Sequence, residues 1–573
     1  MSFRISTPVL MRRFYVAFTD FLGRRSFCLA LILSLSLFVL RLFLKDSIPP
    51  ELLFSSDYYG YIRLGRNIFR DFNFLVHWDL GHPVVYPPFF PIVIHLLTLM
   101  TRAPLESIRL INIVSVSFAP FFVYLGTRRL FDSRLALAAA VFCHYYFELV
   151  RPVRLLYIDY FFAFLVAVLF WLILKAAQDK GRHPRTVFVT GVLIAAAYLT
   201  KFQGGAYIFI ALAAFLLFTS SSGRWTKRKY ILVLAGFLPF YLIYQIIISY
   251  AAGQVDVCPV AVATVIDVNA DYKYNGRSNP YVLNEAGNEF RYQQECEQNG
   301  LLMILWRKRK TVIRNYCLGF HIMRQRLAAM ALPFLPPAAQ WPLHAGLLSL
   351  LILGLRTRYA NALRLVFLFM AGICFVPLSD GGGLTTRYYM PFVPFYFLLW
   401  LGGVQGLLEY LRRKEIMPRA FWGRWLGMMI FCLFLAVYGY EFYKKARWWP
   451  RYDYGPYERA ARRLEQIQKK QRPFRIMAPT NIMPYLTGSR RIMFPYDFDW
   501  QRIVRFAMMK EVDYIIYDEK ALGVLRPEQK ARLENTLPDD LPVTLVYRDH
   551  LGQDDFFIYR LEYENSIPAR KLH

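Results

Sequence analysis

Apolar stretches about as long as a bilayer is thick recur along most of this chain, and that recurrence constrains the fold before any single residue does. A helix needs about 20 mostly apolar residues to cross the hydrocarbon. Such runs begin near residues 26, 109, 135, 158, 186, 204, 229, 342, 361, 388 and 421. With 56% of residues hydrophobic, 17% aromatic and only 19% charged, the sequence is too apolar for a soluble domain and reads as a polytopic membrane protein. The run 87–100 is a further candidate, but it is short and opens on Pro87 and Pro88.

Charge decides between crossing and not crossing. Lys and Arg outnumber Asp and Glu by 69 to 40, a formal charge of +29. These basic residues flank apolar spans, which argues for cytoplasmic loops and anionic lipid and against nucleic acid. If the N-terminus is cytoplasmic and 87–100 does not cross, the short basic connections all fall on one side. They carry Arg128, Arg129 and Arg134; Lys175, Lys180, Arg182 and Arg185; Arg224 to Lys229; Arg356, Arg358 and Arg364; and Arg412 to Arg424. A crossing at 87–100 would invert them. The expectation is therefore about eleven transmembrane helices, opening on an uncleaved signal anchor whose exit reads LRLFLKD. Residues 1–443 form the membrane part. The segments 46–108, 151–157, 201–204, 253–341 and 378–387 then lie outside, with the tail 444–573.

The tail reads as a small α/β soluble domain. Tyr457, Ala460, Leu464 and Ile467 share one helical stripe. FRIMAP, DYIIYD, PVTLVYR and FFIYRLE read as strands, with QRIVRFAMMKE as a helix between the first two. Asp497 and Asp499 in PYDFDW read as a turn. In the large loop, LLMILWRKRK and its continuation read as helices lying in the interface. Cys258 and Cys296 in that loop are a candidate disulfide; no cysteine shows metal-ligand spacing.

Ionisable residues near the hydrocarbon are functional candidates by default. Here they collect at the external mouth. Asp57, Asp71, His77, Asp79 and His82 lie in the first loop; Arg151, Arg154 and Asp159 follow the third span; Lys201 ends the fifth; Asp380 and Arg387 bracket SDGGGLTTRYY. A carboxylate can take a proton from an attacking hydroxyl, and cations can hold a leaving phosphate. His77 and His82 have no second ligand pair for a metal.

The order of these features carries a resemblance. An Asp follows the first span (SSDYYGY), YPP opens an apolar helix, LTK closes a middle span, and RYYMPFVP comes late. This is similar to the GT-C superfamily of polyprenyl-phosphate-sugar glycosyltransferases, and most to the protein mannosyltransferases and the lipid A aminoarabinose transferase, over roughly residues 50–410. The resemblance implies a GT-C-like fold and an inverting transfer of sugar from a polyprenyl-phosphate carrier. Glycan, lipid or protein would be the acceptor, on the extracytoplasmic face of a plasma (inner) membrane. It makes Asp57 the acid/base residue, with Asp79 or Asp159 as the second carboxylate. Lys201 and Arg387 become phosphate ligands, helped by Arg154 and by the basic segment 307–310, and Tyr86 and Tyr388 flank the substrate. Many relatives have Asp-Glu where this chain has Asp57-Tyr58. The family allows a divalent metal, Mg or Mn, but nothing in this sequence assigns ligands to one. The rival readings are a lipid or solute transporter and a non-catalytic scaffold.

Overall fold

The computed structural model describes residues 7–43, 56–74, 76–77, 83–84, 87–150, 158–178, 183–218, 223–252, 340–371, 390–414, 455–468, 474–480, 482–525, 527–533, 541–551 and 553–563, with isolated positions between 283 and 313. Helix α1 (Thr7–Phe43) is followed by α2 (Ser56–Asp71), a two-strand ribbon of β1 (Val76–His77) and β2 (Pro83–Val84), and α3 (Phe89–Thr101). Then come α4 (Pro104–Leu130), α5 (Ser133–Val150), α6 (Ile158–Gln178), α7 (Pro184–Tyr198), a 3₁₀ turn (Phe202–Ala206), α8 (Tyr207–Phe218) and α9 (Gly223–Ala252). Helices α10 (Gln340–Gly354), α11 (Ala360–Ala371) and α12 (Val393–Arg413) complete the described bundle.

Helices stand at ten of the eleven expected places, and all but α1 start within a turn or two of the expected residue; the run near 421 lies outside the described residues. Among the described residues, four helical segments are long and apolar enough to cross a membrane: Arg24–Phe43, Pro104–Leu130, Ile158–Gln178 and Lys227–Tyr250. Helix α3, at 13 residues, is about 20 Å long and falls short of a bilayer core of about 30 Å. Helix α1 begins well before its apolar part, so the basic N-terminal stretch is helical too.

Side-chain contacts fix the helix directions. Phe122 of α4 meets Phe164 and Trp171 of α6, and a Cβ on Gly126 would strike Phe170. Farther on, Arg129 Nη1 donates to Gln178 Oε1 at 3.2 Å. The two helices therefore run parallel and end together. That shared end also gathers the other basic connections. Lys229 Nζ donates to Ala177 O at 2.8 Å, Asn361 Nδ2 to Leu217 O at 3.1 Å, and Gln405 Nε2 to Asp132 Oδ2 at 3.1 Å and Tyr359 Oη at 2.8 Å. Arg358 and Arg413 both pair with Glu409. Charge counting expected these connections on one side, and packing brings them to one end.

Helices α7 and α9 pack closer than side chains allow. A Cβ on Gly191 would lie 2.1 Å from Val233 O, and one on Gly236 would lie 2.3 Å from Phe188 O. Only glycine at both positions lets the two backbones touch.

In the tail, α13 (Gly455–Gln468), β3 (Arg475–Ala478), α14 (Ile482–Leu486), β4 (Arg490–Met493), α15 (Trp500–Met509), β5 (Tyr514–Asp518), α16 (Glu519–Leu525), α17 (Pro527–Arg532), β6 (Val543–Leu551) and β7 (Asp554–Leu561) form one α/β unit. Its five-stranded sheet has the order β4-β3-β5-β7-β6, with β3 parallel to β4 and β5, and β7 antiparallel to β5 and β6. All four expected strands are present. The helix expected between the first two is α15, and an unexpected strand, β4, precedes it. RRIM shows no alternation, yet Arg491 is buried and donates from Nη2 to Pro479 O at 2.7 Å. Tyr457, Ala460 and Leu464 are buried as the stripe requires. Asp497 accepts from the N–H of Phe498 and Asp499, and Asp499 caps α15 through Gln501 N–H, which is the turn expected. Leu283, from the large loop after α9, is buried among Met477, Ile492, Phe494 and Trp500. Leu283 thus packs against the tail.

Candidate active site at the acidic end of the bundle

At the end of the bundle opposite the basic connections, three helix termini meet. Asp159 lies in the first turn of α6, where a carboxylate is favoured by the helix dipole, and its side chain is 1% exposed. Lys201 follows α7. Its Nζ donates to Asp159 Oδ1 in a direct ion pair, and its side chain is 14% exposed. The ammonium also stands 5.8 Å from the centre of the Phe162 ring. This lysine does not reach out to the headgroups; it is folded inward onto a carboxylate.

The local sequence explains the inward turn. Helix α7 stops as Leu199 N–H and Lys201 N–H bond back to Ala195 O and Ala197 O at 2.8 and 2.9 Å. Lys201 itself is extended (φ −146°, ψ 132°), and Gly204 N–H then closes a 3₁₀ turn onto Lys201 O at 2.7 Å. A Cβ at Gly204 would lie 2.3 Å from Ala197 C, so the fold-back needs the glycine of FQGG.

The YPP motif also gains a physical reading. Pro87 and Pro88 have no N–H, so Phe89 is the first donor of α3. It donates to Leu199 O at 2.8 Å and ties α3 to the end of α7. Phe89 and Phe90 then pack on Phe161, two residues after Asp159, at 6.0 and 5.6 Å between ring centres. Helix α2 runs alongside α3 in the same direction. Tyr61 meets Phe90 edge-on at 5.5 Å, a Cβ on Gly65 would lie 2.5 Å from Pro91 O, and Phe69 stacks on His95 at 4.5 Å. Asp57 falls in the first turn of α2, one turn before Tyr61, and so at the end of α2 that faces the start of α6. The helix starts at Ser56, so Asp57 sits inside that turn.

The structure therefore brings Asp159 and Lys201 together and carries the Asp57 backbone to the same corner. The side chain of Asp57 lies outside the described residues, as do Asp79, Tyr86, Arg154, Arg387 and Tyr388 and the cysteine pair Cys258–Cys296. Asp71 is exposed beside Arg70, at the far end of α2. Of the basic segment 307–310, Arg309 and Lys310 are described and exposed. Among the described residues no three His, Cys, Asp or Glu side chains gather as metal ligands. The one carboxylate described at this corner is paired with Lys201.

Sequence reading missed a second buried polar group. Arg41, two residues from the end of α1, is 5% exposed and donates from Nη1 to Ser117 Oγ of α4 at 2.7 Å. Ser34 Oγ lies 3.2 Å from His144 Nε2 of α5. An arginine at the edge of an apolar run reads as a flanking anchor, and nothing in the sequence says that α4 and α5 will cover it.

Residues 85–248 match the family described as dolichyl-phosphate-mannose-protein mannosyltransferase. The match contains Asp159, Lys201 and the YPP motif and stops short of Asp57 and Arg387. No curated protein matches the chain. Among solved structures, the apo oligosaccharyltransferase of Archaeoglobus fulgidus aligns with a TM-score of 0.55 and 14% identity over 96% of this chain and 76% of that one. The archaeal oligosaccharyltransferase AglB from Archaeoglobus fulgidus, in complex with an inhibitory peptide and a dolichol-phosphate, gives 0.51 and 13% over 96% and 75%. ArnT from Cupriavidus metallidurans, bound to undecaprenyl phosphate, covers 94% of this chain and 99% of that one at 13% identity with a TM-score of 0.48. At such identities the likeness to the oligosaccharyltransferase is one of fold.

Proposed function

We propose that this chain, which resembles the GT-C glycosyltransferases in sequence over residues 85–248 and in fold over most of its length, is a membrane-embedded glycosyltransferase. It takes a sugar from a polyprenyl-phosphate carrier and transfers it, with inversion, to a glycan, lipid or protein acceptor at the extracytoplasmic face of a plasma membrane. About eleven helices within residues 1–443 hold the site, and residues 444–573 form an extracytoplasmic α/β unit.

The observation that carries the reading is the buried pair of Asp159 and Lys201, set beside the start of α2 and inside the family-matched segment. Asp57 takes the proton of the acceptor hydroxyl. The oxygen attacks the anomeric carbon from the face opposite the carrier, and the bond to the carrier phosphate breaks with its electron pair on the phosphate oxygen. Lys201 neutralises that departing phosphate and shares its charge with Asp159, which holds the ammonium in place when the site is empty. Arg387 and Arg154 complete the anion cradle, Tyr86 and Tyr388 bound the sugar, and Asp79 is the further carboxylate of the first loop. The dolichol-phosphate held by the archaeal structural neighbour supports the donor class.

The test is transfer from a polyprenyl-phosphate sugar in proteoliposomes. Asp57→Asn should lower turnover by about 10²–10⁴-fold, the usual contribution of a general base, while donor binding survives. Wild-type turnover in that variant would sink the assignment.

A further inference from the structure

Helix α1 is a peripheral element. On its outer half Ile32, Leu35, Val39, Leu40, Leu42 and Phe43 are exposed, as residues facing lipid would be. It is held to the bundle by a seam with three buried polar pairs: Ser26 with Tyr124 at 2.8 Å, Ser34 with His144, and Arg41 with Ser117. The first is a hydroxyl pair that satisfies itself. The other two place a guanidinium and an imidazole in the last two turns of the seam. Ser34 and Arg41 are seven residues apart on α1 and share one face of it, so His144 and Arg41 follow each other along the seam. His144 is 3% exposed, and its second ring nitrogen, Nδ1, has no hydrogen-bond partner among the described residues. A buried polar atom left in this way has lost its water without replacement unless something fills it.

Depth and access narrow what could fill it. Helices α4 and α6 run parallel with Phe122 beside Phe164, so Ser117 is level with the first turns of α6 and with Asp159. Arg41 thus sits at the same end of the bundle as Asp159. Its neighbours Leu40 and Leu42 are 53% and 41% exposed, so an approach lies along the bilayer plane.

We propose that Arg41, His144 and Ser117 form a subsite for the phosphate ester of a membrane lipid, entered from the bilayer beside α1. Ser34 donates its hydroxyl proton to His144 Nε2, which leaves the ring proton on Nδ1 as a donor. Arg41 supplies the charge and the planar donor set suited to a phosphate oxygen. No bond is made or broken. The subsite is distinct from Lys201 and does not depend on the transferase reading, since its test reads binding.

The test is native mass spectrometry of the full chain in detergent with phosphatidate, phosphatidylcholine or inorganic phosphate. The wild type should retain one phosphatidate in preference to phosphatidylcholine. Arg41→Gln should weaken that binding about ten-fold or more, as expected for loss of a charge-assisted bond. His144→Gln keeps a group for Ser34 and removes Nδ1; it should weaken binding about three-fold. Arg413→Gln removes an equal charge at the opposite end and should change nothing. If Arg41→Gln does not fold, Arg41→Lys and His144→Gln carry the test, with binding kept in the first and weakened in the second. The proposal is overturned if the wild type shows no preference for phosphatidate. It is equally overturned if inorganic phosphate competes as well as the lipid, if Arg413→Gln weakens binding as much as Arg41→Gln, or if His144→Gln binds as the wild type.

Discussion

Two ends of one helical bundle carry ion pairs, and they are built differently. At the basic end, Arg358 and Arg413 share Glu409 with arginine side chains 71% and 56% exposed. At the acidic end, Lys201 and Asp159 meet with side chains 14% and 1% exposed. The chemistry is the same and the consequence is not. Exposed pairs contribute roughly 0–1 kcal/mol because water and salt screen them. Breaking a buried pair costs about 3–5 kcal/mol, because the remaining charge has lost its solvent and its partner. The basic end needs only to be positive. The acidic end needs a particular ammonium beside a particular carboxylate, and the surrounding backbone is shaped to hold them.

The strongest way to break this contrast is to remove one partner at the acidic end. Lys201→Met or Asp159→Asn alone should lower stability by about 3–5 kcal/mol and abolish most transfer. The double variant should regain much of the stability and none of the transfer. Thermal unfolding in nanodiscs beside a turnover assay separates the two, and additive losses in the double variant would show that the pair is not a unit.

A buried carboxylate in the tail sharpens the contrast, since it has hydrogen bonds in place of a cation. Asp518 accepts from Tyr457 Oη and from Ala521 N–H, both at 2.8 Å, and burial pushes its carboxyl up to about 6. A carboxyl raised on folding adds stability that is fully present below its unfolded value and is lost as pH rises through the folded one. Tail stability should therefore fall by about 3 kcal/mol between pH 4 and pH 6.5 or so and then level. Asp518→Asn should flatten that slope in pH-dependent hydrogen exchange of β5.

The packing that sets the position of α7 gives a smaller effect. Gly191→Leu puts a side chain where Val233 O stands and should cost about 1–3 kcal/mol, the usual range for overpacking, with transfer lowered as Lys201 shifts. The smallest change is expected at the basic end. Arg413→Gln should alter the melting temperature by an amount equivalent to less than about 1 kcal/mol, and less still in high salt.

The sequence made some of this plain and left the rest unreadable. The helices were legible because apolar length is a local property, and β3, β5, β6 and β7 because their alternation or apolar runs are. β4 was not, since the burial of Arg491 depends on carbonyls of Ala478 and Pro479 that only the folded sheet supplies. Asp159 and Lys201 were both visible as candidates, but not as partners. They are 42 residues apart, and their meeting depends on the fold-back at Gly204 and on α7 running against α6. Arg41 went unnoticed for a similar reason: its burial is decided by α4, not by its own neighbours.

The glycine contact between α7 and α9 has a consequence for how the length of this chain can vary. Gly191 is held against Val233 and cannot slide, so it acts as a fixed tooth. One residue added before it is taken up by the connection ahead of α7. One residue added between Gly191 and Lys201 would rotate the lysine by about 100° and move it about 1.5 Å, away from Asp159. Ten residues of α7 and its cap therefore form a measured interval, tolerant of substitution on the lipid face but not of a change in count.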